Sequence, residues 1–504
     1  MKKYIVALAF TGCIGLSGCA DLFQEPLSFP TPENIEYNQD NVTSLTDGLY
    51  RKLWFNNWGF NCRPQILGLG ADDIIGGSVS KRHYLIDEFY VHGDDVDLVW
   101  EYLYAVIQAS NQLIEGLEAS PTMADEAKKP YLGEAYFIRA FAYFHLVRYF
   151  GDVPGFTDST CYKDILGSTN ITRNKTEDIY NLIIVPSLKI AEEYLPERGR
   201  KNNGSNETPS RWAAKACLAD VYLTMAEWPL KKTENFALAR DKAKEIIDKG
   251  GYSLLPHYEE LWKEATKLDA TEHMFALPHD RVNQASNYGI SYMAMEESTA
   301  AWSDYLADSC FYERYPADER KAFNFITKMG EGKRAKDFRV TQMRSPAINK
   351  YRDYGGTTTE NGGTMSAQSS GITPIYRYAE VLLIYAEAQN RAEHGPNTLA
   401  YQCLNDVRKR AAGGGVYDKA ENMNEEEFDK AVFDEYGWEF FAEFKRWFQL
   451  VRTEKVWEMN QNNPRVKASM IKNGITKEER RTYLMPLPEQ EQIDCGFEAN
   501  PRVY

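Results

Sequence analysis

Residues 375–392 read IYRYAEVLLIYAEAQNRA. Within them Ala379, Leu382, Leu383, Ala386 and Asn390 recur at the i, i+3, i+4, i+7 spacing of one helix face. The stretch therefore predicts an amphipathic helix packed along that face. Alanines at 379, 386, 388 and 392 keep the face flat enough for a second helix to approach closely. Asn397–Arg410, NTLAYQCLNDVRKR, supplies one after the break at His394-Gly395-Pro396, so the pair predicts an antiparallel helical hairpin.

The same period recurs upstream. Helices are predicted over Asn41–Trp54, from Asp94 and Asp95 through VDLVWEYLYAVIQASNQLIEGLE, and over Leu132–Phe150, Thr176–Leu195, Ser210–Trp228 and Phe236–Lys249. Asp94 and Asp95 are read as an N-cap, and His92 beside Asp94, Asp95 and Asp97 reads as part of that acidic helix start rather than a metal site. Leu132-Gly133-x-x-Tyr136 matches a fragment of the tetratricopeptide pattern. Successive hairpins that bury one another's faces make an all-α array. Between Asp280 and Pro374 the helical period fades except near Asp318–Phe325, and the stretch ends in GGTTTENGGTMSAQSSG. Loops of this length are functional or disordered. A charged helix follows at Trp438–Arg452, where Glu439, Glu443 and Arg446 are read as a polar ladder between Trp438, Phe441, Phe444 and Trp447. Arg377 with Glu380 is read as a similar structural pair.

RYAEVLLIYAEA followed by LNDVRKRA resembles the signature of the SusD/RagB family of outer-membrane nutrient-binding lipoproteins. Gly133–Pro154 (GEAYFIRAFAYFHLVRYFGDVP), Trp438–Arg452 (WEFFAEFKRWFQLVR) and YLMPLPEQEQ from Tyr483 agree with the family in order. The chain departs from it at Phe444, where a glycine is frequent, and at its close, EANPRVY, where many members end on an Asn-Pro-Gly-Tyr-like run. The resemblance implies a mainly α fold of tetratricopeptide-like hairpins carrying long ligand-binding loops. It also implies a SusC-like TonB-dependent transporter as partner, over which the lipoprotein sits as a lid.

The amino terminus is consistent with export. Lys2 and Lys3 precede an apolar run, Tyr4–Leu16, and then Leu16-Ser17-Gly18-Cys19. The run is shorter than the ~20 residues that span a bilayer and suits a secretory signal. L-S-G-C resembles a bacterial lipobox, which implies acylation of Cys19; at ~0.8 kcal/mol per buried methylene, several acyl chains anchor a protein firmly. These boundaries divide the chain into a lipoprotein signal peptide (1–18), a lipidated tether (19–34) and a body (35–504). The body has a helical part, 35–255, and a loop-rich part, 256–504. The expected location is the outer membrane, lipid-anchored and facing the exterior.

Composition limits the partners. The net charge is −15, about −17 without Lys2 and Lys3, which argues against nucleic acid. The 32 tyrosines and 10 tryptophans serve long helical cores and also allow exposed stacking platforms. After Cys19 the cysteines fall at 62, 161, 217, 310, 403 and 495 with no C-x-x-C, so no zinc cluster is expected, and Cys217 and Cys403 read as small core residues.

Two loop stretches mix aromatic and polar residues. Gly70–Tyr90 holds Asp73, Arg82 and Tyr84, and the stretch after Asp280 holds Asn287, Tyr292, Trp302 and Tyr305. Sugars need this mixture, because their C–H faces stack on rings while their hydroxyls seek planar polar partners. Peptides can use it too. The family resemblance implies ligand-binding loops placed like these, with an acidic residue often at the position of Asp73. Each aromatic alone serves equally well as packing beneath its loop; as a group they favour a binding site. No cofactor motif is present, and Ser78-Val79-Ser80-Lys81 satisfies S-x-x-K without its companions S-D-N and K-T-G. The sequence thus points to a non-enzymatic surface protein that binds an oligosaccharide or polysaccharide. A peptide is the alternative cargo, with a surface glycoside hydrolase and a helical protein-binding scaffold behind it.

Overall fold

In the computed structural model the upstream helices are α1 (Val42–Leu53), α2 (Gly93–Ala119), α3 (Asp125–Phe150), α4 (Val185–Tyr194), α5 (Arg211–Ala226) and α6 (Asn235–Lys249). The structure describes residues 35–53, 70–77, 93–158, 171–201, 207–263, 265–269, 271–279, 291–297, 301–330, 332–351, 371–473 and 483–500. Asp94 and Asp95 lie inside the first turn of α2 rather than ahead of it. α3 opens upstream of the predicted Leu132, with Asp125 and Glu126 complementing the dipole of its first turn, and runs through Pro130, which interrupts the sequence signal. Thr176–Asp178 lead through a π turn, Ile179–Ile184, into α4.

Each helix packs on its successor, α2 on α3, α3 on α4, α4 on α5 and α5 on α6. The array continues through the predicted hairpin, α9 (Tyr378–Ala392) and α10 (Thr398–Ala411), where Asn397 caps α10 by accepting from Ala400 N at 2.8 Å. α9 also packs on α6 and on α11 (Glu425–Glu439). One hydrophobic core runs from Trp100 on α2 through Phe141, Leu218 and Leu382 to Phe428. The fold is mainly α, as expected. Cys217 and Cys403 are buried free thiols within it.

The short helices between are α7 (Ser309–Arg314) and α8 (Glu319–Asn324), the latter capped by Asp318 near its predicted position. Strand β1 (Ile74–Gly76) pairs antiparallel with β3 (Tyr305–Ala307), and β2 (His273–Pro278) with β4 (Ile372–Arg377), which leads directly into α9.

α9 differs from its prediction in one respect. Every residue from Ala379 to Asn390 is buried, so it is a central helix with no solvent face. Its charges are matched internally: Glu380 accepts from Lys445 Nζ at 2.7 Å and Tyr436 OH at 2.8 Å, and Glu387 accepts from Arg452 Nη2 at 2.7 Å. Glu380 therefore pairs with Lys445 and not with Arg377.

Arg377 anchors a buried ion network. It donates to Glu443 Oε2 (2.9 Å) and Oε1 (2.8 Å), to Glu272 Oε1 (2.8 Å) and to Glu439 Oε1 (2.9 Å). Arg410 bridges Glu272 and Glu439 from the other side, Arg320 joins Asp318, Glu435 and Glu439, Lys350 meets Glu443, and Arg408 meets Glu435. Five cations, Arg320, Lys350, Arg377, Arg408 and Arg410, thus face five carboxylates, Glu272, Asp318, Glu435, Glu439 and Glu443. Burial alone would raise the Glu439 pKa, but Arg410, Arg377 and Arg320 bring it down to about 2.

The predicted helix Trp438–Arg452 is two helices. α11 ends at Glu439, a turn follows, and α12 spans Arg446–Arg452. In the turn Ala442 and Phe444 have φ of 60° and 71°, left-handed values that a glycine would adopt at less cost. The turn is held by side chains from elsewhere. Tyr315 OH donates to Trp438 O (2.6 Å), Tyr258 OH to Glu439 O (3.2 Å), Lys350 Nζ to Phe441 O (2.6 Å) and Tyr351 OH to Ala442 O (2.6 Å). These satisfy carbonyls that the end of a helix leaves open. The break also separates the expected ladder, sending Glu439 and Glu443 to Arg377 while Arg446 turns to Asp72.

At the carboxyl end Met485 N donates to Tyr149 O (2.7 Å), and Asn500 Nδ2 donates to Phe150 O (2.9 Å) and Met485 O (2.8 Å). Met485 and Asn500 are thereby pinned to the end of α3.

Replacing Arg377 by Met nearly keeps the volume and takes one buried cation from Glu272, Glu439 and Glu443, which leaves the cluster with an excess of negative charge. Loss of one partner from a buried pair costs about 3–5 kcal/mol, so R377M should unfold at a markedly lower urea midpoint than the native protein. An unchanged midpoint would show that the network contributes little.

Candidate ligand-binding site

Strand β1 is preceded by Ala71-Asp72-Asp73, and both aspartates are buried. Asp72 is gripped by Arg446 of α12, whose Nε donates to Oδ1 at 2.7 Å and whose Nη2 donates to Oδ2 at 3.0 Å. Arg314 of α7 closes on Oδ2 as well. This bidentate pairing fixes the base of β1 to the helical body. Asp73 has a different role. Its Oδ2 accepts from Ala442 N (3.3 Å) in the left-handed turn, and its carbonyl accepts from Asp308 N (2.8 Å). Burial, and then the charge of Asp72, push its carboxyl up to about 7. Asp308 in turn caps α7 by accepting from Cys310 N (2.7 Å) and Phe311 N (3.0 Å), and it accepts from Asn463 Nδ2 at 2.8 Å.

The strands carry the candidate aromatic residues. Tyr305 lies in β3, and Tyr292 sits between it and Tyr351, with ring centroids 5.1 Å and 4.9 Å away. Tyr292 and Tyr305 are both buried and belong to the main core. Trp302 is 38% exposed between the buried residues Ala301 and Ser303. Asp73, Tyr292 and Tyr305 are all buried, at 3%, 0% and 1% exposure. Trp302 stands at the surface. Arg82, Tyr84 and Asn287 lie outside the described residues, as does His92.

Sequence reading missed Arg446, Arg314 and Met295. The first two hold Asp72 across long chain separations that no local spacing reveals. Met295 is 42% exposed, and its backbone N donates to Ser303 Oγ at 2.7 Å, which joins it to the Trp302 turn.

A second concavity lies inside the helical array. Its volume is about 50 Å³, and His145, Arg148, Asp220, Tyr376, Glu380 and Lys445 are among its lining residues. Ligand pockets run to roughly 300–1,000 Å³, so this space suits a few waters rather than a sugar. Its charges are paired: Tyr376 OH donates to Asp220 (3.1 Å), and Lys445 joins Glu380. Among the described residues no group of His, Cys, Asp and Glu is arranged to hold a metal ion.

A stack of helical hairpins that carries a strand-supported loop surface is the architecture of the SusD-like proteins. The chain matches the SusD family model over residues 271–494, and over residues 74–223 a SusD-like model described as starch-binding and associating with the outer membrane. It is 28% identical to SusD-like protein P2 of Formosa agariphila, over 98% of both chains. A SusD homologue from Bacteroides thetaiotaomicron superposes with a TM-score of 0.80 at 21% identity, covering 94% of this chain and 98% of that one. A surface glycan-binding protein A from the same organism, solved in complex with laminarihexaose, superposes at 0.71 and 18% identity, covering 92% and 100%. The chain belongs to the SusD/RagB family.

The raised Asp73 pKa gives a pH signature. Between the ordinary carboxylate value near 4 and about 7, folded Asp73 keeps a proton that the unfolded chain has released. Its contribution to stability is therefore full below about pH 4 and lost as pH rises through about 7. Asp73→Asn should match the native protein at pH 4 and exceed it at pH 8, by up to about 4 kcal/mol in urea unfolding. Parallel curves for the two proteins across that range would refute the assignment.

Proposed function

We infer that this protein is a surface-exposed lipoprotein that captures an oligosaccharide or polysaccharide and passes it to a SusC-like TonB-dependent transporter. The observation that carries the reading is Trp302, an exposed indole on a strand-supported turn, in a chain whose fold matches that of a glycan-binding protein solved with laminarihexaose. An indole offers a flat apolar face with a donor at one edge, which suits the C–H face of a pyranose and an adjoining hydroxyl.

The reading is of a binder rather than an enzyme. The densest clusters of carboxylates, Glu272, Glu435, Glu439 and Glu443, are buried against arginine and lysine. A glycosidase instead needs two carboxyl groups flanking a bond in an open cleft. Delivery follows the family resemblance: signal peptide 1–18 directs export and is removed, and acylated Cys19 with tether 19–34 holds the body at the outer membrane, facing outward. Among the described residues no helix is long and apolar enough to cross a membrane, so attachment in this reading falls to Cys19.

The test is electrophoretic retardation of a soluble form lacking residues 1–19 in gels containing a panel of polysaccharides that includes laminarin. Retardation without degradation of the polysaccharide is expected, and failure with every polysaccharide would shift the cargo to peptide. Trp302→Ala should weaken the interaction about tenfold, or ~1.4 kcal/mol, without altering the unfolding midpoint. Tyr292→Ala is a poor probe of contact, because emptying a buried aromatic site costs about 3–5 kcal/mol of stability. Cys19→Ser in the full chain should move the protein from the membrane fraction to the soluble fraction. Continued membrane association would place the anchor elsewhere.

A further inference from the structure

The turn that presents Trp302 has an unusual construction. Ser303 has φ of 51°, a left-handed value that is costly for a residue with a side chain. Three tethers hold it there. Its N donates to Met293 O at 3.0 Å, its Oγ accepts from Met295 N at 2.7 Å, and its carbonyl lies so close to Gly77 that a Cβ on the glycine would overlap the oxygen. Gly77 N donates to Asp304 O at 3.2 Å, extending the β1–β3 ladder by one residue, while Asp304 Oδ2 accepts from Ser291 Oγ at 3.0 Å. Met293, Ala294, Ala301, Ser303 and Asp304 are all buried around this point. The apolar side chains that emerge are Trp302 and Met295, at 38% and 42% exposure, with Glu296 exposed beside them.

We propose that Gly77 and Ser303 form a positioning seat, which holds Trp302 and Met295 outward as one apolar ledge for the C–H face of a saccharide. The role in binding rests on the function inferred above, whereas the seat itself is a property of the free protein. The ladder fixes Gly77, the missing Cβ lets the Ser303 carbonyl close over it, and the left-handed residue turns the chain so that its two neighbours divide, Trp302 to solvent and Asp304 to the core. Ser303 Oγ ties the Met295 turn into the same unit, so the two exposed side chains move together or not at all. A rigid apolar ledge loses little conformational entropy when a sugar settles on it. Neither Gly77 nor Ser303 needs to touch the ligand.

Gly77→Ala tests the seat. Acrylamide quenching of Trp302 is read as the difference between each protein and its Trp302→Phe counterpart, without ligand. Affinity for laminarin is read by gel retardation. The expected result is a changed Trp302 quenching constant and a laminarin affinity about tenfold weaker, with circular dichroism unchanged. Unaltered quenching and affinity would overturn the proposal. Should Gly77→Ala fail to fold, Ser303→Ala decides, because it removes only the Oγ acceptor. It should change quenching and weaken affinity in the same direction, and native values for both would overturn the seat. If laminarin does not retard even the native protein, the glycan reading loses support, and the ligand-free quenching still decides whether the seat exists.

Discussion

A guanidinium with no access to water, Arg377, is the constraint on which much of this structure depends. Its side chain engages Glu272, Glu439 and Glu443 at once, so one cation ties the end of β4 to β2 and to both sides of the turn between α11 and α12. Desolvating so many charges is expensive, and the arrangement is tolerable because cations and carboxylates balance and every nitrogen of the Arg377 guanidinium donates. The consequence is positional. With the turn fixed, α12 starts where Arg446 can reach Asp72, Asp72 fixes the base of β1, and β1 pairs with β3 beside the turn that presents Trp302. A surface side chain thus owes its placement to a salt-bridge cluster well inside the protein.

The helices were legible because burial of one face writes a 3.6-residue period into the chain, and α1, α5, α6 and α10 begin and end within a few residues of where the period places them. Other features leave no such trace. The all-round burial of α9 depends on Lys445 and Arg452, which arrive from α12 and the turn before it to neutralise Glu380 and Glu387. The break after Glu439 lacks a glycine or proline, since Ala442 and Phe444 adopt left-handed conformations imposed by distant partners. Ion pairing was expected for Glu439, Glu443 and Arg446, yet their partners sit on other helices, strands and loops, away from the predicted helix. The candidate site was legible as a region and not as a set of contacts: tyrosine and tryptophan look alike in a loop, while Tyr292 and Tyr305 fill the core and Trp302 stands out of it.

The division of labour between these aromatics suits a binder of extended, repetitive ligands. Tyr305, Tyr292 and Tyr351 pack ring against tilted ring in the close-packed interior, whereas Trp302 and Met295 are exposed and can vary without repacking it. Recognition can diverge at a few exposed positions while the helical array, which carries the family likeness, stays as it is.

The left-handed turn at residues 440–445 also bears on how the chain reaches its native state. Its carbonyls at Phe441 and Ala442 are held by Lys350 and Tyr351, and those of the helix end just before it, at Trp438 and Glu439, by Tyr315 and Tyr258, all remote in sequence. Closing loops of that length comes before any reward from the contacts they permit, whereas the hairpins of α2–α6 form from neighbours. Loop-closure cost thus favours early formation of the helical array, with the turn at 440–445 condensing onto it later.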